Sequence, residues 1–383
     1  MAAEHMRWDE AIGRRLARHH LLTPAPSSRL VEVASDVCGV HAQVGASAEL
    51  MLGLRVRDIT RQHVRSSLAE SRTLVKTVGL RGTLHLFPAA ELPDWMAAVR
   101  LRLPAEERRL SRLGIELDGF RSVISAIEAV VGPTPISRPE FERRLAERAG
   151  SWAMRTNQGW AGHYRNWPMA LGWAAVNGKV CYGPANGGRI TLVRLTDWCG
   201  WREVDPIDGG RFALHRFVRA YGPSTQREFS RWFALEPAIT KQLFEALADE
   251  LAEVLVEGER RWMLKADVGS ADAFPHAIHL LPQFDVYTVG CHPRNQLIAN
   301  DSPVAKASPG TAAPLAVLLI GGRVAGVWER RVKGKRLLVR IDAHQQLSRL
   351  QRSNAEMQAY RVAEILERDV EVEFGEIEIR PHL

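Results

Sequence analysis

Apolar residues recur at helical spacing along the first third of the chain and then give way to alternation. Ile12 and Leu16 set a helix over Trp8 to His20, and Leu30, Ala34, Val37 and Cys38 share one face of a second helix that runs out near His41. Thr60 is placed to cap a third, over Arg61 to Glu70. The stretch TLVKTVGLRGTLHLF, Thr73 to Phe87, is β-branched and broken by Gly79 and Gly82, so it reads as two short strands around a tight turn. Three helices and a hairpin are the order of a winged helix.

The order recurs twice. Helical pattern covers Phe120 to Val131, Ser137 caps a helix over Pro139 to Arg148, and Pro168 to Asn177 supplies a third. KVCYGPANGGRITLVRL, Lys179 to Leu195, then alternates around Gly-Gly. The third pass runs from Arg211 to Tyr221, from the cap Thr225 into Gln226 to Phe233, and over Pro237 to Leu251. It ends in a hairpin, Val254 to Leu264, that turns at Glu257-Gly258. GPTPISRPEF at Gly132 and GPSTQREF at Gly222 echo one another, although helix-stop and helix-start chemistry alone yields such strings.

From about Ala271 the pattern becomes short apolar runs, HAIHLLP, DVYTVG, APLAVLLIGGRVAGVWERR and KRLLVRI, with turns at Gly321-Gly322 and Lys333-Gly334. An acidic helix over Asn354 to Asp369 and a strand over Val370 to Ile379 close the chain. The expected fold is mainly α with β (α+β). Three tandem winged helices lie at 5–95, 115–200 and 207–268, and a C-terminal β-barrel-like domain covers 270–383.

Charge adds a partner class. The 383 residues carry 51 Lys and Arg against 44 Asp and Glu, a net +7. The excess is concentrated: residues 51–100 hold eight basic and four acidic side chains, 151–200 five and one, 301–350 nine and three. Most are Arg, the better bidentate partner for phosphate, and such clustering fits an anionic polymer as well as it fits solvated faces. No apolar run approaches the roughly 18 residues of a bilayer span, and the charged start MAAEHMRWDE has no signal-peptide core. The four scattered cysteines form no CxxC, so neither a zinc site nor a disulfide framework is expected. The expected compartment is the cytoplasm, with no membrane partner and no cofactor.

Common catalytic signatures are missing: no Walker A, GxGxxG, GxSxG or HExxH occurs. His276 and His279 sit in a strand-like stretch on opposite faces, which argues against a shared metal. GVHAQVGASAEL, Gly39 to Leu50, follows the second helix. Its His41 reads either as a helix-end histidine favoured by the dipole or as a functional group. Gln43 reads as a solvated or a functional amide, and Gly45, Ala46 and Ser47 are small enough to admit another chain.

Several motifs in this order resemble the bacterial winged-helix DNA glycosylases related to AlkZ and YcaQ, over nearly the full length. They are HAQVGASAEL, GLRGTLHLF, YGPSTQREFSRW, LLPQFDVYTVG and GGRVAGVWERR. The resemblance implies three winged helices curving around DNA and a β domain closing part of the ring. It places His41 and Gln43 in the catalytic positions, with His in place of the commoner Gln and with Ala42 smaller than the usual aliphatic residue. It further implies a monofunctional N-glycosyl hydrolase for bulky N7-alkylated purines, one that unhooks interstrand crosslinks in repair or genotoxin self-resistance. Its partner would be double-stranded DNA with alkylated bases, bound by a monomer. A winged-helix regulator or a non-catalytic damage binder is the alternative. Expected DNA contacts are Arg81, Arg294, Arg330, Arg331, Lys333, Lys335 and Arg336. Ser47, Thr83, His85 and Asp285 are expected to line the cleft, the last three with packing or capping as competing roles.

Overall fold

Leu30–Asp36 is helical and ends earlier than its apolar spacing predicts. The Cys38 amide donates to Ser35 O at 2.9 Å and Gly39 N to Ala34 O at 2.8 Å, with Cys38 and Gly39 at φ 64° and 82°. This is a Schellman ending, and it turns the chain out of the helix before His41. Val40–His41 is therefore extended, and His41 is not a helix-end residue. The chain bends at Gln43 and Val44 and enters an unexpected helix, Gly45–Arg55.

The structure, a computed structural model, describes residues 4–112, 114–159, 162–187, 189–269, 272–307 and 314–379. Gly188, Ala271 and Ala313, which fall within the turn and strand readings above, lie outside these residues. Mixed helix and sheet is the architecture, in two compact units. One unit joins residues 1–64, 215–232 and 247–383; the other joins 65–214 and 233–246.

In the first unit, Glu4–Met6 runs parallel to Leu251–Val256, which pairs antiparallel with Glu259–Leu264 across the Glu257-Gly258 turn. A second sheet has five strands in the order Ile278–Leu281, Val317–Ile320, Arg323–Lys333, Arg336–Ala343 and Asp369–Phe374, with only the last pair parallel. The Arg349–Leu366 helix packs on its first strand and on the Gly45–Arg55 helix. That approach is close: a Cβ on Gly53 would lie 2.6 Å from Ile365 Cγ2. Val286–Gly290, expected as strand, is a short helix because the Asp285 carboxylate accepts from Tyr287 N at 2.9 Å and caps it.

In the second unit, strands follow the order Leu84–Pro88, Leu74–Val78, Val180–Asn186, Arg189–Arg194 and Ile136–Ser137. The helices Leu117–Val130, Arg138–Met154 and Trp167–Val176 bury Phe120, Phe141, Leu145 and Trp167 between them. Leu92–Arg100 and Leu103–Arg112 are further helices, in a stretch where no element was expected.

Two buried histidines make the first unit acid-sensitive. His19 lies edge-on to Tyr221 and Tyr287, and its pKa is lowered well below the ordinary value, by burial first and by Arg55 next. The same two causes lower His279 to about 4. In the unfolded chain such groups bind protons near ~6.5, so the native state holds fewer protons between that pH and about 4. Stability is thus lost as pH falls through this window, on the order of 2–3 kcal/mol for His279 alone. We expect His279→Gln to lose less unfolding free energy than the parent between pH 7 and 4.5. Equal losses in the two proteins would refute this account.

Candidate active site

The first unit gathers the HAQ segment, one loop of the five-stranded sheet and its longest hairpin. His41 ends the short extended segment and is 5% exposed; Ala42 is fully buried and Gln43 is exposed. An extended strand would put residues two apart on one face. The bend after Ala42 leaves the imidazole covered and turns the amide out to solvent. The Gly45–Arg55 helix starts two residues after Gln43, so its N-terminal end, where the first amides have no partner within the helix, follows the pair directly in the chain. Val44 is the N-cap and supplies no side-chain acceptor. Ser47, one turn in, is buried rather than facing an open cleft.

The ring over His41 belongs to Phe284, with centroids 5.0 Å apart and planes at 20°. Phe284 itself has φ +58°. Asp285, the residue after it, is fully buried and pairs with Arg55 at the other end of the helix: Nη1 to Oδ2 is 2.9 Å and Nη2 to Oδ1 2.7 Å. Arg55 Nη1 also donates to Met51 O at 3.0 Å. Asp285, expected at the cleft or as a cap, is thus a cap and an ion-pair partner with no exposed surface.

The Arg323–Lys333 and Arg336–Ala343 strands form the basic hairpin, which turns at Gly334-Lys335, one residue on from the expected Lys333-Gly334. Its cations divide into two kinds. Arg330 is half-buried, lies 5.9 Å over the Trp328 ring, and has its pKa lowered by burial first, then by the charge of Arg61. Glu49, on the helix that follows Gln43, pairs with Arg61 at 2.9 Å and opposes that effect on Arg330. Arg331, Lys333, Lys335 and Arg336 are exposed toward the tip, around Val332, which is 61% exposed. Arg340 pairs with Glu373 at 3.0 Å. A groove of about 850 Å³ beside the base of the hairpin is lined by Gln283, Trp328, Glu329, Arg330, Arg331 and Arg340, among others.

Arg294, expected to reach a DNA groove, turns inward. Its guanidinium donates to Val289 O at 2.7 Å and to Thr288 O, which stabilises the C-terminal end of the Val286–Gly290 helix. Arg81, Thr83 and His85 lie in the second unit. Arg81 sits at φ +54° in the turn and lines a cavity of about 360 Å³ with Arg102, Glu106, Met169 and Trp173. Thr83 Oγ1 donates to Leu80 O at 3.0 Å. His85 is buried, 3.0 Å from Thr83 O through Nδ1 and stacked on Phe87. Among the described residues no group of three or more His, Cys, Asp and Glu side chains is placed to hold a metal ion. Phe284 and Arg55 are the site neighbours that sequence reading did not single out. Phe284 stands inside the motif LLPQFDVYTVG, whereas nothing marks Arg55.

Such a site has a covered imidazole, an exposed amide two residues on, a helix N-terminus and a cationic hairpin. The exposed amide can donate and accept hydrogen bonds to a ligand, and the cationic hairpin can attract an anionic polymer. Residues 34–365 match the family model described as DNA glycosylase AlkZ-like. The chain is 30% identical over 338 residues to an interstrand DNA cross-link repair glycosylase of Streptomyces sahachiroi, covering 84% of this chain and 87% of that protein. It also superimposes on the solved structure of the Streptomyces sahachiroi DNA glycosylase AlkZ with a TM-score of 0.77. The sequence identity there is 25%, and the match covers 97% of this chain and all of that one.

Proposed function

The chain belongs to the AlkZ-like DNA glycosylases, and on that footing we propose that it hydrolyses the N-glycosidic bond of N7-alkylated purines, with His41 and Gln43 holding the attacking water. An N7-alkylguanine already carries positive charge, so the C1′–N9 electron pair departs onto the purine without an added proton. The sugar becomes oxocarbenium-like. Gln43 orients a water through its amide, and His41 accepts the water's proton as its oxygen bonds C1′. The products are the free alkylated base and an abasic site. The observation that carries the reading is the pairing of a covered His41 with an exposed Gln43 at a helix N-terminus.

The reading extends to crosslinked bases. A base tied to both strands cannot be fully extruded as most glycosylases require, and an open site that accepts the duplex suits it. Repair and self-resistance to a genotoxin both fit such chemistry. The three helix-and-hairpin stretches, 5–95, 115–200 and 207–268, act in this proposal as winged helices on the duplex, with 270–383 as a β-barrel-like unit. The order of helices and hairpin in each stretch supports it. The protein acts as a monomer at the nucleoid, where a winged-helix array needs no second copy to cover a site. Among the described residues no helix is long and apolar enough to cross a membrane. Thr83 and His85 stay as wing-packing residues, Ser47 and Asp285 as supports of the cleft wall, and Arg81 as a phosphate contact.

The decisive experiment incubates the protein with duplexes carrying a methyl, a mustard-crosslink or a bulky natural-product adduct at N7 of guanine and measures free base and abasic sites. Release from none of them would overturn the proposal in favour of damage binding without chemistry.

The hairpin tip supplies further phosphate contacts. Val332 among Arg331, Lys333, Lys335 and Arg336 is the apolar contact that a groove-entering hairpin makes. We expect K333A/K335A/R336A to weaken binding of all duplex sequences and to reduce the slope of log affinity against log salt by about three, one per lost phosphate contact. An unchanged slope would remove the tip from the interface.

A further inference from the structure

Phe284 occupies a position that backbone chemistry reserves for other residues. Pro282 to Asp285 form a turn closed by Asp285 N donating to Pro282 O at 3.2 Å, and Phe284, third in the turn, has φ +58°. Turns of that kind take Gly or Asn there, because a Cβ in the left-handed region meets its own backbone. A bulky residue persists in it only when the surroundings impose it. Here both ends of the turn are fixed. Before it, Trp328 Nε1 donates to Leu281 O at 2.8 Å. After it, Asp285 is held bidentately by Arg55, accepts from Tyr287 N, and accepts through its carbonyl from Thr288 Oγ1 at 2.8 Å. The strained residue is also the one whose ring lies flat against His41.

We propose that Phe284 is a positioning residue for His41, and that the Arg55–Asp285 pair fixes the turn that carries it; this rests on the reading of His41 as the group that holds water. Arg55 ends the helix whose first turn follows Gln43. The pair therefore ties the Phe284 turn to the same rigid element that positions the amide. His41 and Gln43 keep their spacing because the surface behind the imidazole and the helix beside the amide are one assembly. A flat ring in parallel contact restricts rotation of the imidazole about its Cβ–Cγ bond, which a branched aliphatic side chain of similar bulk does less well. Loss of about 1 Å in the placement of a reacting group costs up to about 100-fold in rate.

The test is single-turnover base excision from an N7-methylguanine duplex, with DNA affinity and unfolding midpoint measured on the same proteins. Phe284→Leu is expected to slow excision by about 10- to 100-fold with affinity unchanged, and Phe284→Tyr, which keeps the ring, to restore the parent rate. In an H41A background, F284L is expected to add no further loss, since the ring then has nothing to position. Asp285→Asn, which weakens the grip of Arg55 while keeping the cap, is expected to follow F284L; should it fail to fold, F284L decides. Parent-rate excision by F284L, or an equal F284L loss with and without His41, overturns the positioning role. Parent-rate excision by H41A overturns the water-holding reading itself, and the positioning role with it.

Discussion

Gln43→Ala is expected to slow single-turnover excision by about 10²- to 10⁴-fold, the contribution typical of a positioned acid–base or water-orienting group. Of the two proposed catalytic residues it is the exposed one, and truncating it opens no cavity in the core. Stability should therefore fall less than in a variant that truncates a buried side chain. DNA affinity should also hold, because Gln43 is not among the proposed phosphate contacts. His41→Ala should slow excision too, but its 5% exposure and its stack on Phe284 mean that some stability goes with it. Gln43 is for that reason the cleaner probe. A Gln43→Ala enzyme that excises at the parent rate would place the attacking water elsewhere and end the mechanism proposed for this segment.

Arg55→Ala is expected to cost about 3–5 kcal/mol of unfolding free energy, the penalty for stranding a buried carboxylate without its cation. Both partners have no exposed side-chain surface, and the pair bridges segments distant in the chain. The physics also predicts an asymmetry. Replacing both charges, as in R55M/D285L, should recover most of the loss, because a buried pair is often worth little more than a well-packed apolar contact. Recovery should stop about 1 kcal/mol short, since Tyr287 N would lose the Asp285 carboxylate that caps its helix. Equilibrium unfolding in urea measures all three proteins. Loss of less than ~1 kcal/mol in Arg55→Ala would mean that the bridge does not hold the turn in place.

Elements with local signals were legible in the sequence. Trp8–Arg18 and Gln226–Phe233 follow apolar periodicity and capping, and the Glu257-Gly258 turn and the turn through Gly334, one residue on from expectation, sit where glycine permits positive φ. The Gly45–Arg55 helix was hidden for a physical reason. Ser47, Ala48 and Leu50 to Arg55 are all buried, so no polar face marks a period, and Gly45, Gly53 and an uncapped Val44 start remove the propensity cues. Asp285 to Gly290 looked like strand through its valines, and a single carboxylate cap outweighed that preference. His41 and Gln43 were visible only through resemblance, because a His and a Gln after an apolar stretch have ordinary explanations. The stack of Phe284 on His41 and the salt bridge between Arg55 and Asp285 are long-range pairings that no local pattern encodes.

The span of that salt bridge sets a clock on the ribosome. Arg55 and Asp285 are 230 residues apart, so at roughly 5–20 residues per second the HAQ segment leaves the ribosome roughly 10–50 s before the turn that covers His41. The first strand waits as long for its parallel neighbour at Val254–Val256. During that interval the apolar Gly45–Arg55 helix has no C-terminal helix to pack on. A nascent chain is therefore exposed to aggregation and proteolysis there, and it cannot assemble the site. Any product ending before Asp285 would carry the two proposed catalytic residues without the turn proposed to align them. In this proposal, activity is thereby tied to synthesis beyond Asp285.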